Sequence, residues 1–493
     1  MPSKAPLGPT NQHSSDLECD RGTMASPEPA QTVRALRLMY VDLAGVRRCR
    51  VVPWSGDGGG GEGGAAPLPQ IALTFGSMGT PVHVDCVLPA SGLSATGEAV
   101  LTPDAASLVP RLPWWPAHGL ANVDHLERAG GPWDCCPRSA LRHCLGLLEA
   151  RHGLSLLVGF ELEFVLLREL APAAAAGHPH RVPGTCYVPV EVGPYSSSSG
   201  LDEFCEVLDA MVSALQAMGI EVVQWHKESG PGQFEIATGP ADALAAADRL
   251  LQAKEAIAAV ARRHGLAVTF VPKPFPGEAG SGCHAHMSLW KGGVSVMAEE
   301  RPGATAPPFD RRDPLPLPAE ASAFFAGILS HLPALLPFTA PSAGAEWGSF
   351  ARVRPGCWAG AFACWGWDNR EAPLRATRPG GPASTNVEYK AFDGTANPYV
   401  ALAALVCAGM LGLAEGAGLP PPLQGDPGGG GGGGGAAALP GSLSEALAAW
   451  HGDAPLCAAV REGLGAPLVR AFMAVRAGEL EAAPSLAHVL LRY

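Results

Sequence analysis

The two ends of the segment 224–289 have the composition of β-strands, yet they contain ionisable side chains, including those of two glutamates and two histidines. Glu228 and Glu235 stand on either side of a Ser-Gly-Pro-Gly turn, so a hairpin would bring both carboxylates to one end of a sheet. Farther along, a Gly-Ser-Gly loop leads into His284 and His286, which share one face of a strand because they are two residues apart. Buried charged groups require partners, so we expect these four side chains to meet at one site.

A second pair of carboxylates lies upstream, where Glu161 and Glu163 interrupt the apolar run VGFELEFVLL. Their spacing places both on one face of a strand, where two adjacent carboxylates repel each other unless a cation or a proton intervenes. A solvent-facing stripe is the alternative interpretation. Because the flanking residues are strongly apolar, we favour a strand paired on both sides whose glutamates face a metal site. Glu388, in the strand-like segment NVEYKAF, supplies a fifth carboxylate.

The candidate ligands are carboxylate oxygens with one or two imidazole nitrogens, a set that suits Mg²⁺ or Mn²⁺ better than Zn²⁺. Arg352, Arg370 and Arg375 follow in the sequence, and the planar fork of arginine holds phosphate or carboxylate groups. Gly280 and Gly282 would let the backbone approach an anion closely. Together these residues predict a site for two divalent metal ions and a triphosphate, at which a phosphoryl group is transferred.

Composition narrows the class of protein. With 493 residues, 47% of them hydrophobic and 16% charged, the chain is long enough for two globular domains or one large domain with an accessory. The net charge of −12 and the scattered lysines and arginines argue against a nucleic-acid partner. No run reaches the ~18 uninterrupted apolar residues that span a bilayer, so we predict no membrane partner. The 13 cysteines lack zinc spacing, which favours reduced thiols in a cytoplasmic protein.

The order of the predicted elements indicates an α+β protein. Residues 1–32 are predicted to be a disordered tail, and residues 33–115 a small mixed domain that begins with a β-hairpin turning at Ala44 and Gly45. Residues 116–493 form the larger domain, interrupted by a Gly-rich insertion at 425–438. Its hydrophobic pattern predicts a loop at 168–200 and helices near 137–152, 201–218, 240–265 and 396–413 and in the final ~50 residues.

Five motifs, taken in order, resemble those of glutamine synthetase: ELEF, HKESGPGQFEI, KPFPGEAGSGCHAHMSL, NREAPLR and VEYKAFDGTANPYVALAAL. The resemblance covers roughly residues 33–415 and resumes in the last fifty. The segment RPGCWAGAFACWGWDNREAPLR is further similar to the FluG-type branch, which includes plant fusions of a nodulin-like domain to a synthetase. The resemblance is to the synthetase part only, so we expect no amidohydrolase-like domain. The resemblance implies an N-terminal β-grasp domain at 33–115, followed by a catalytic domain of curved antiparallel sheet flanked by helices.

Members of this family convert glutamate and ATP into γ-glutamyl phosphate, from which ammonia displaces phosphate. The resemblance therefore implies a glutamate–ammonia ligase of glutamine biosynthesis and nitrogen metabolism that uses ATP and two Mg²⁺ or Mn²⁺ ions. It also implies a large homo-oligomer of paired rings, in which active sites form between subunits.

The resemblance assigns roles residue by residue. It implies one metal site of Glu161, His284 and Glu388, and a second of Glu163, Glu228 and Glu235. It implies that His286, Ser288, Arg370 and Arg375 contact the ATP phosphates, and that Gly280, Arg352 and Lys390 contact the amino acid substrate. Arg352 and Arg370 would also act in catalysis, together with Asp85 in VHVDCVLPASG, which would bind ammonium in a neighbouring subunit.

Three positions depart from the family's pattern. The flap usually reads PGYEAP, and its glutamate helps to bind ammonium; here it reads PGCWAG, with Trp358 in that place. Ala279 replaces the usual asparagine, and Lys390 replaces an arginine whose bidentate fork it cannot form. A large apolar indole favours a bulkier amine, so a γ-glutamyl ligase for another amine is the first alternative. A catalytically inactive structural or signalling homologue is the second, and the retained metal glutamates argue against it.

Overall fold

The structure is a computed structural model that describes residues 32–56, 67–298, 316–428 and 436–493. The tail predicted at 1–32 lies outside the described residues except for its last residue, so its disorder stays a prediction. Half of the Gly-rich insertion predicted at 425–438 also lies outside them.

Five strands near the N-terminus form a mixed sheet. They are β1 (Ala35–Val41), β2 (Arg47–Pro53), β3 (Ile71–Thr74), β4 (Glu98–Pro103) and β5 (His118–Leu126). Their order across the sheet is β2-β1-β5-β4-β3, with β1 and β5 parallel and the other neighbours antiparallel. The domain border predicted at residue 115 would leave β5 out of the N-terminal domain, although β5 pairs with β1 and β4 of this sheet. The division into domains stays a prediction.

The hairpin predicted at the start of this sheet is confirmed. Its turn is held by the carboxylate of Asp42, which accepts hydrogen bonds from the backbone N–H groups of Ala44 (3.0 Å) and Val46 (2.9 Å). Gly45 adopts φ +86°, a conformation that favours glycine, and a Cβ there would lie 2.1 Å from a backbone oxygen of Thr395. The turn therefore packs directly against the larger domain.

The rest of the described chain forms an eleven-stranded sheet covered by helices. Its strands are β6 (Ser155–Glu169), β7 (Tyr187–Pro189), β8 (Val222–Lys227), β9 (Gln233–Thr238), β10 (Ala241–Asp242), β11 (Ala267–Thr269), β12 (Cys283–Lys291), β13 (Val294–Ser295), β14 (Trp365–Trp367), β15 (Leu374–Thr377) and β16 (Asn386–Tyr389). The helices are α1 (Pro137–His152), α2 (Pro172–Ala176), α3 (Ser198–Asp202), α4 (Cys205–Ala217), α5 (Ala243–Arg263), α6 (Ala319–Ser330), α7 (Leu332–Thr339), α8 (Ser349–Arg352), α9 (Pro398–Glu415), α10 (Leu443–Gly452), α11 (Ala454–Leu464), α12 (Ala466–Ala482) and α13 (Leu486–Val489). The predicted α+β class is confirmed.

Strand β6 lies at the centre of the larger sheet, whose main order is β14-β15-β16-β12-β6-β9-β8. It pairs with β12 on one side and β9 on the other, both antiparallel. Residues from Leu162 to Leu167 are all buried, which explains why the apolar run is nearly continuous. The predicted strand with two paired edges is therefore confirmed, and its two glutamates lie at the middle of the sheet.

Helix α9 forms the apolar centre of the larger domain. It begins after Asn397, whose side chain accepts hydrogen bonds from the N–H groups of Tyr399 and Val400, and it ends at Gly416 in the left-handed conformation. Of the described helices, α9 is long and apolar enough to cross a membrane, and the bent pair of α6 and α7 passes the same test of composition. However, α9 is buried from Pro398 to Met410 and packs against α1, α6 and α11, so packing inside the protein accounts for its composition.

Arg138 on α1 joins the N-terminal sheet to the larger domain. Its side chain is 3% exposed and binds both oxygens of Asp248 on α5, at 2.9 and 2.8 Å. It also donates to Asp124 of β5 (2.9 Å) and to Asp104, which follows β4 (2.7 Å). Three carboxylates, two from the N-terminal sheet region and one from α5, therefore share one buried guanidinium.

The segment 168–200, predicted to be a loop, contains the short elements α2, β7 and the start of α3. Strand β7 pairs with the far end of β6, where Leu167 lies opposite Pro189. This pairing depends on a distant strand, which the local sequence does not encode. The helices predicted at 137–152, 201–218, 240–265 and 396–413 are confirmed as α1, α4, α5 and α9.

Candidate active site

The register of the larger sheet brings the predicted site residues together, because residues directly opposite each other on adjacent strands share a face. The opposed pairs are Glu161 with His284, Glu163 with Glu235, His226 with Glu235, His286 with Glu388, and Arg375 with Glu388. All of these side chains line one cavity of about 880 Å³. A single sheet face thus collects groups that are far apart in the sequence.

The cavity contains every residue predicted for the site except one. It is lined by Glu161, Glu163, Glu228, Glu235, Gly280, His284, His286, Ser288, Arg352, Arg370, Arg375, Glu388 and Lys390. The exception is Asp85 in the N-terminal domain, whose side chain is 65% exposed and pairs with Arg48 at 3.0 Å. Its predicted role lies in a neighbouring subunit, so that role stays a prediction.

Glu161, His286 and Glu388 form a first group whose ligand atoms all lie within 4.8 Å of one another. The Nε2 atom of His286 is 3.0 Å from a carboxylate oxygen of Glu161 and is buried without a hydrogen bond. Its Nδ1 atom faces the side-chain oxygen of Asn386 at 2.8 Å, which orients the ring. The Nε2 atom and the carboxylate of Glu161 are therefore placed to bind the same cation.

His226, Glu228 and Glu235 form a second group of the same size. The Nε2 atom of His226 is 2.8 Å from Glu228, and its Nδ1 atom is 3.9 Å from Glu235. Sequence reasoning missed His226, although it stands two residues before Glu228. The same spacing singled out His284 and His286, so the signal was present in the sequence.

His284 also lies beside the first group. Its Nδ1 atom is 3.1 Å from Glu388 and 3.3 Å from Glu161, the residues with which the family resemblance groups it, and its Nε2 atom is 3.8 Å from Glu163. The two ligand sets implied by the resemblance stay predictions. The carboxylate of Glu163 accepts a hydrogen bond of 2.7 Å from Gln233, which holds it towards His284. Register alone could not reveal this, because the side-chain torsions decide which neighbour each carboxylate faces.

Burial and neighbouring charges shift the pKa values of two carboxylates in opposite directions. Burial raises the pKa of Glu235 well above its usual range, and the charges of Glu161 and Glu163 add to this shift. Burial acts on Glu388 as well, but the ammonium of Lys390 at 3.1 Å and the neighbouring histidines outweigh it and lower its pKa well below the usual range. The second group therefore has an excess of negative charge that a cation would neutralise.

The donor atoms fit two divalent metal ions. Each group offers two carboxylates and one imidazole, a set suited to Mg²⁺ or Mn²⁺. When bound, such ions would neutralise phosphate oxygens and stabilise the charge that develops during phosphoryl transfer.

Three arginines occupy different positions around the cavity. Arg370 is exposed. Arg375 lies 2.9 Å from Glu388. Arg352 is 3% exposed and donates to the backbone oxygens of Lys390 (2.7 Å) and Phe392 (2.8 Å). One arginine is therefore free to meet an anionic ligand at the surface, whereas Arg352 also supports the chain after β16; their substrate roles stay predictions.

The glycine loop before β12 packs tightly against the site. A Cβ at Gly282 would lie 2.4 Å from Nε2 of His284 and 3.2 Å from Glu163, and one at Gly280 would lie 2.6 Å from Cγ of Arg352. Neither contact leaves room for a methyl group. These glycines are therefore required for close packing against the site's own side chains.

We expect a Gly282→Ala variant to bind Mn²⁺ about 10- to 100-fold more weakly, because the added methyl group displaces His284 from its contacts with Glu161 and Glu388. Titration of the purified protein with Mn²⁺, followed by electron paramagnetic resonance, measures this. Gly131→Ala is the matched control, since a Cβ there meets nothing within 4 Å. Unchanged Mn²⁺ binding in Gly282→Ala would contradict the role given to His284.

The flap at residues 355–360 carries a tryptophan at the cavity. Trp358 adopts φ +51°, is 57% exposed and lines the cavity together with Cys357 and Ala359. A positive φ is uncommon for a residue other than glycine and often marks a functional loop. The indole therefore borders the space in which a second substrate would approach the metal groups.

Comparisons with known proteins agree with this geometry. A family model described as glutamine synthetase, catalytic domain, matches residues 134–489. The chain is 35% identical over 470 residues to γ-glutamylpolyamine synthetase GlnA3 of Streptomyces coelicolor, covering 94% of this chain and 93% of that protein. It is 31% identical over 410 residues to protein fluG of Emericella nidulans, covering 79% of this chain and 41% of fluG. A crystal structure described as a novel glutamine synthase homolog superimposes with a TM-score of 0.72 at 30% identity, covering 93% of this chain and 96% of that one.

Proposed function

This chain belongs to the glutamine synthetase family, and we propose that it is an ATP-dependent γ-glutamyl ligase whose nitrogen acceptor is an organic amine larger than ammonia. Relatives in this family are ligases that use ATP and divalent metal ions. The observation that carries the proposal is the position of Trp358 on the cavity wall. An indole cannot bind ammonium through a charge as a carboxylate would, but it packs against alkyl groups and attracts substituted ammonium groups.

The similarity to γ-glutamylpolyamine synthetase supports the same conclusion, because it extends over nearly the whole of both chains. That relative transfers a γ-glutamyl group to polyamines according to its name. A polyamine or another alkylamine is therefore the acceptor class that we propose for this protein.

In the first half of the proposed reaction, an oxygen of the glutamate γ-carboxylate attacks the γ-phosphorus of ATP. The bond between this phosphorus and the ADP oxygen breaks, and γ-glutamyl phosphate forms. Arg370 and Arg375 line the cavity, where guanidinium groups would stabilise the charge on the transferring phosphoryl group. Bound substrates would exclude water, which would otherwise hydrolyse the acyl phosphate.

In the second half, the bound alkylammonium loses a proton to a carboxylate of the cavity wall, and the lone pair of the resulting amine attacks the γ-carbonyl carbon. Inorganic phosphate leaves and takes up the second proton that the nitrogen loses. The indole of Trp358 would cover the alkyl part of the amine and keep its nitrogen directed towards the acyl phosphate.

We expect the purified protein to release phosphate from ATP with glutamate and an alkylamine, at a kcat/KM at least about tenfold above that with ammonia. Trp358→Ala should lower kcat/KM for the alkylamine by roughly 3- to 30-fold, the range expected for a lost cation–π and packing contact. Mass spectrometry of the product identifies the amide. Trp115→Ala is the control, because Trp115 is 50% exposed but does not line the cavity.

Two outcomes would decide against the proposed acceptor. A preference for ammonia would make the protein a glutamine synthetase, and no phosphate release with any amine would support the inactive homologue.

The large homo-oligomer of paired rings and the cytoplasmic location also stay predictions. Native mass spectrometry measures the number of subunits.

A further inference from the structure

Lys227 is fully buried at the end of β8, between His226 and Glu228. Side chains alternate along a strand, so Lys227 leaves the face opposite to His226, and it does not line the cavity. Its ammonium lies 3.1 Å from a carboxylate oxygen of Glu191 and donates to the backbone oxygens of Gly230 (2.8 Å) and Glu228. All three of its protons therefore have partners, none of which is a substrate or a metal ligand atom.

Glu191 is the other half of this buried pair, and its side chain is 5% exposed. One carboxylate oxygen accepts the N–H of Gly232 at 3.0 Å, and the other accepts the N–H of Gly193 at 2.5 Å. The backbone N–H of Ser196 in turn donates to the backbone oxygen of Lys227 at 3.1 Å. The pair thus joins the segment after β7 to the turn between β8 and β9.

That turn is the one that carries Glu228 and leads to Glu235. From the cavity side it is held by Gln233, whose side-chain oxygen accepts the N–H of Gly230 (2.6 Å) and whose amide donates to Glu163 (2.7 Å). From the opposite side it is held by Lys227. The turn is therefore fixed between a polar residue within the site and an ion pair behind it.

We propose that Lys227 and Glu191 form a positioning pair that holds Glu228 and Glu235 for the second metal group. A buried ion pair seldom stabilises a fold more than apolar residues of the same volume would, so stability alone does not account for it. Instead, the pair provides donors and acceptors for backbone groups of a turn that must present a carboxylate at a defined place. The inference extends the proposed function, since it assumes that this group binds a divalent cation.

Four forms of the full chain test the inference: the wild type, Lys227→Met, the double variant Lys227→Met/Glu191→Leu, and Lys227→Arg. Titration with Mn²⁺, followed by electron paramagnetic resonance and calorimetry, gives the affinity of each of two sites without any assay of activity. We expect the double variant to fold and to bind Mn²⁺ at one site about 10- to 100-fold more weakly than the wild type, as expected when the partners that orient a ligand are lost. The other site should change less than about threefold.

The single variants extend the test. Lys227→Met leaves the charge of Glu191 buried without a partner, so it should show at least the loss of affinity of the double variant. Lys227→Arg keeps the charge and should restore part of the affinity. In ligase assays, the Mn²⁺ concentration for half-maximal rate should rise while kcat at saturating Mn²⁺ stays within about threefold, since the reacting groups are untouched.

A matched control is Lys254→Met, which removes another buried lysine whose ammonium bonds a backbone oxygen of Gly394 and does not line the cavity. It should leave both affinities unchanged. Wild-type affinity at both sites in the folded double variant would overturn the inference, whatever Lys227→Met does to folding. A wild type that binds two Mn²⁺ ions but forms no amide would instead overturn the proposed function alone.

Discussion

A Glu161→Gln variant is expected to lose roughly a thousand-fold in ligase kcat/KM, because a lost metal ligand forfeits several kcal/mol of charge stabilisation and each ~1.4 kcal/mol is a factor of ten in rate. Glutamine keeps the shape of the side chain but not its charge. Burial raises the pKa of Glu161, but the neighbouring His284 and His286 outweigh burial and lower the pKa below its usual value. Glu161 is therefore present as the charged carboxylate. Phosphate release with glutamate and the best amine measures the loss, and Mn²⁺ titration locates it.

Glu479→Gln is the control for this substitution. Glu479 on α12 is 1% exposed, accepts the N–H of Val82 at 2.6 Å and lies outside the cavity. Burial raises its pKa to about 7, so the folded state favours the protonated form, and the stability due to that proton is lost as the pH rises through about 7. The control should keep its activity while it stays folded. Its free energy of unfolding should fall, because Arg476, buried 3.0 Å from Glu479, loses its charged partner. Near-normal activity in Glu161→Gln would exclude Glu161 from the metal site.

An Arg138→Met variant is expected to lower the free energy of unfolding by about 3–5 kcal/mol, the usual effect of removing one partner from a buried ion pair. The substitution leaves Asp104, Asp124 and Asp248 without their shared guanidinium. Methionine fills much of the volume but donates no hydrogen bond. Urea denaturation, monitored by circular dichroism, measures the change.

Arg142→Met separates this effect from the loss of a positive charge. Arg142 lies one turn farther along α1 and contacts Asp124 at 2.9 Å and Asp104 at 3.5 Å, but its side chain is 45% exposed. Water screens such a pair, so its removal should lower stability by less than about 1 kcal/mol. Equal losses in the two variants would show that the network around Arg138 is not what holds the N-terminal sheet to the larger domain.

Most of the candidate site could be predicted because strand periodicity is local. The spacing of Glu161 with Glu163, and of His284 with His286, places each pair on one face whatever the rest of the chain does. The Pro-Gly turn likewise predicts the hairpin that carries Glu228 and Glu235. The cavity contains all of these residues, whereas contacts such as the one between Gln233 and Glu163 could not be predicted, since they depend on side-chain torsions.

The amino-acid sequence alone determined the fold class, the family and the identity of the charged groups, because hydrophobic period, turn residues and motif order are properties of neighbouring residues. Only the tertiary structure showed that one imidazole, that of His284, contacts Glu161, Glu163 and Glu388. Only the tertiary structure, too, brought Glu191 against Lys227 and three aspartates against Arg138. These contacts join residues from 14 to 123 positions apart, and their partners follow from strand register and the packing of distant elements, which no local pattern specifies.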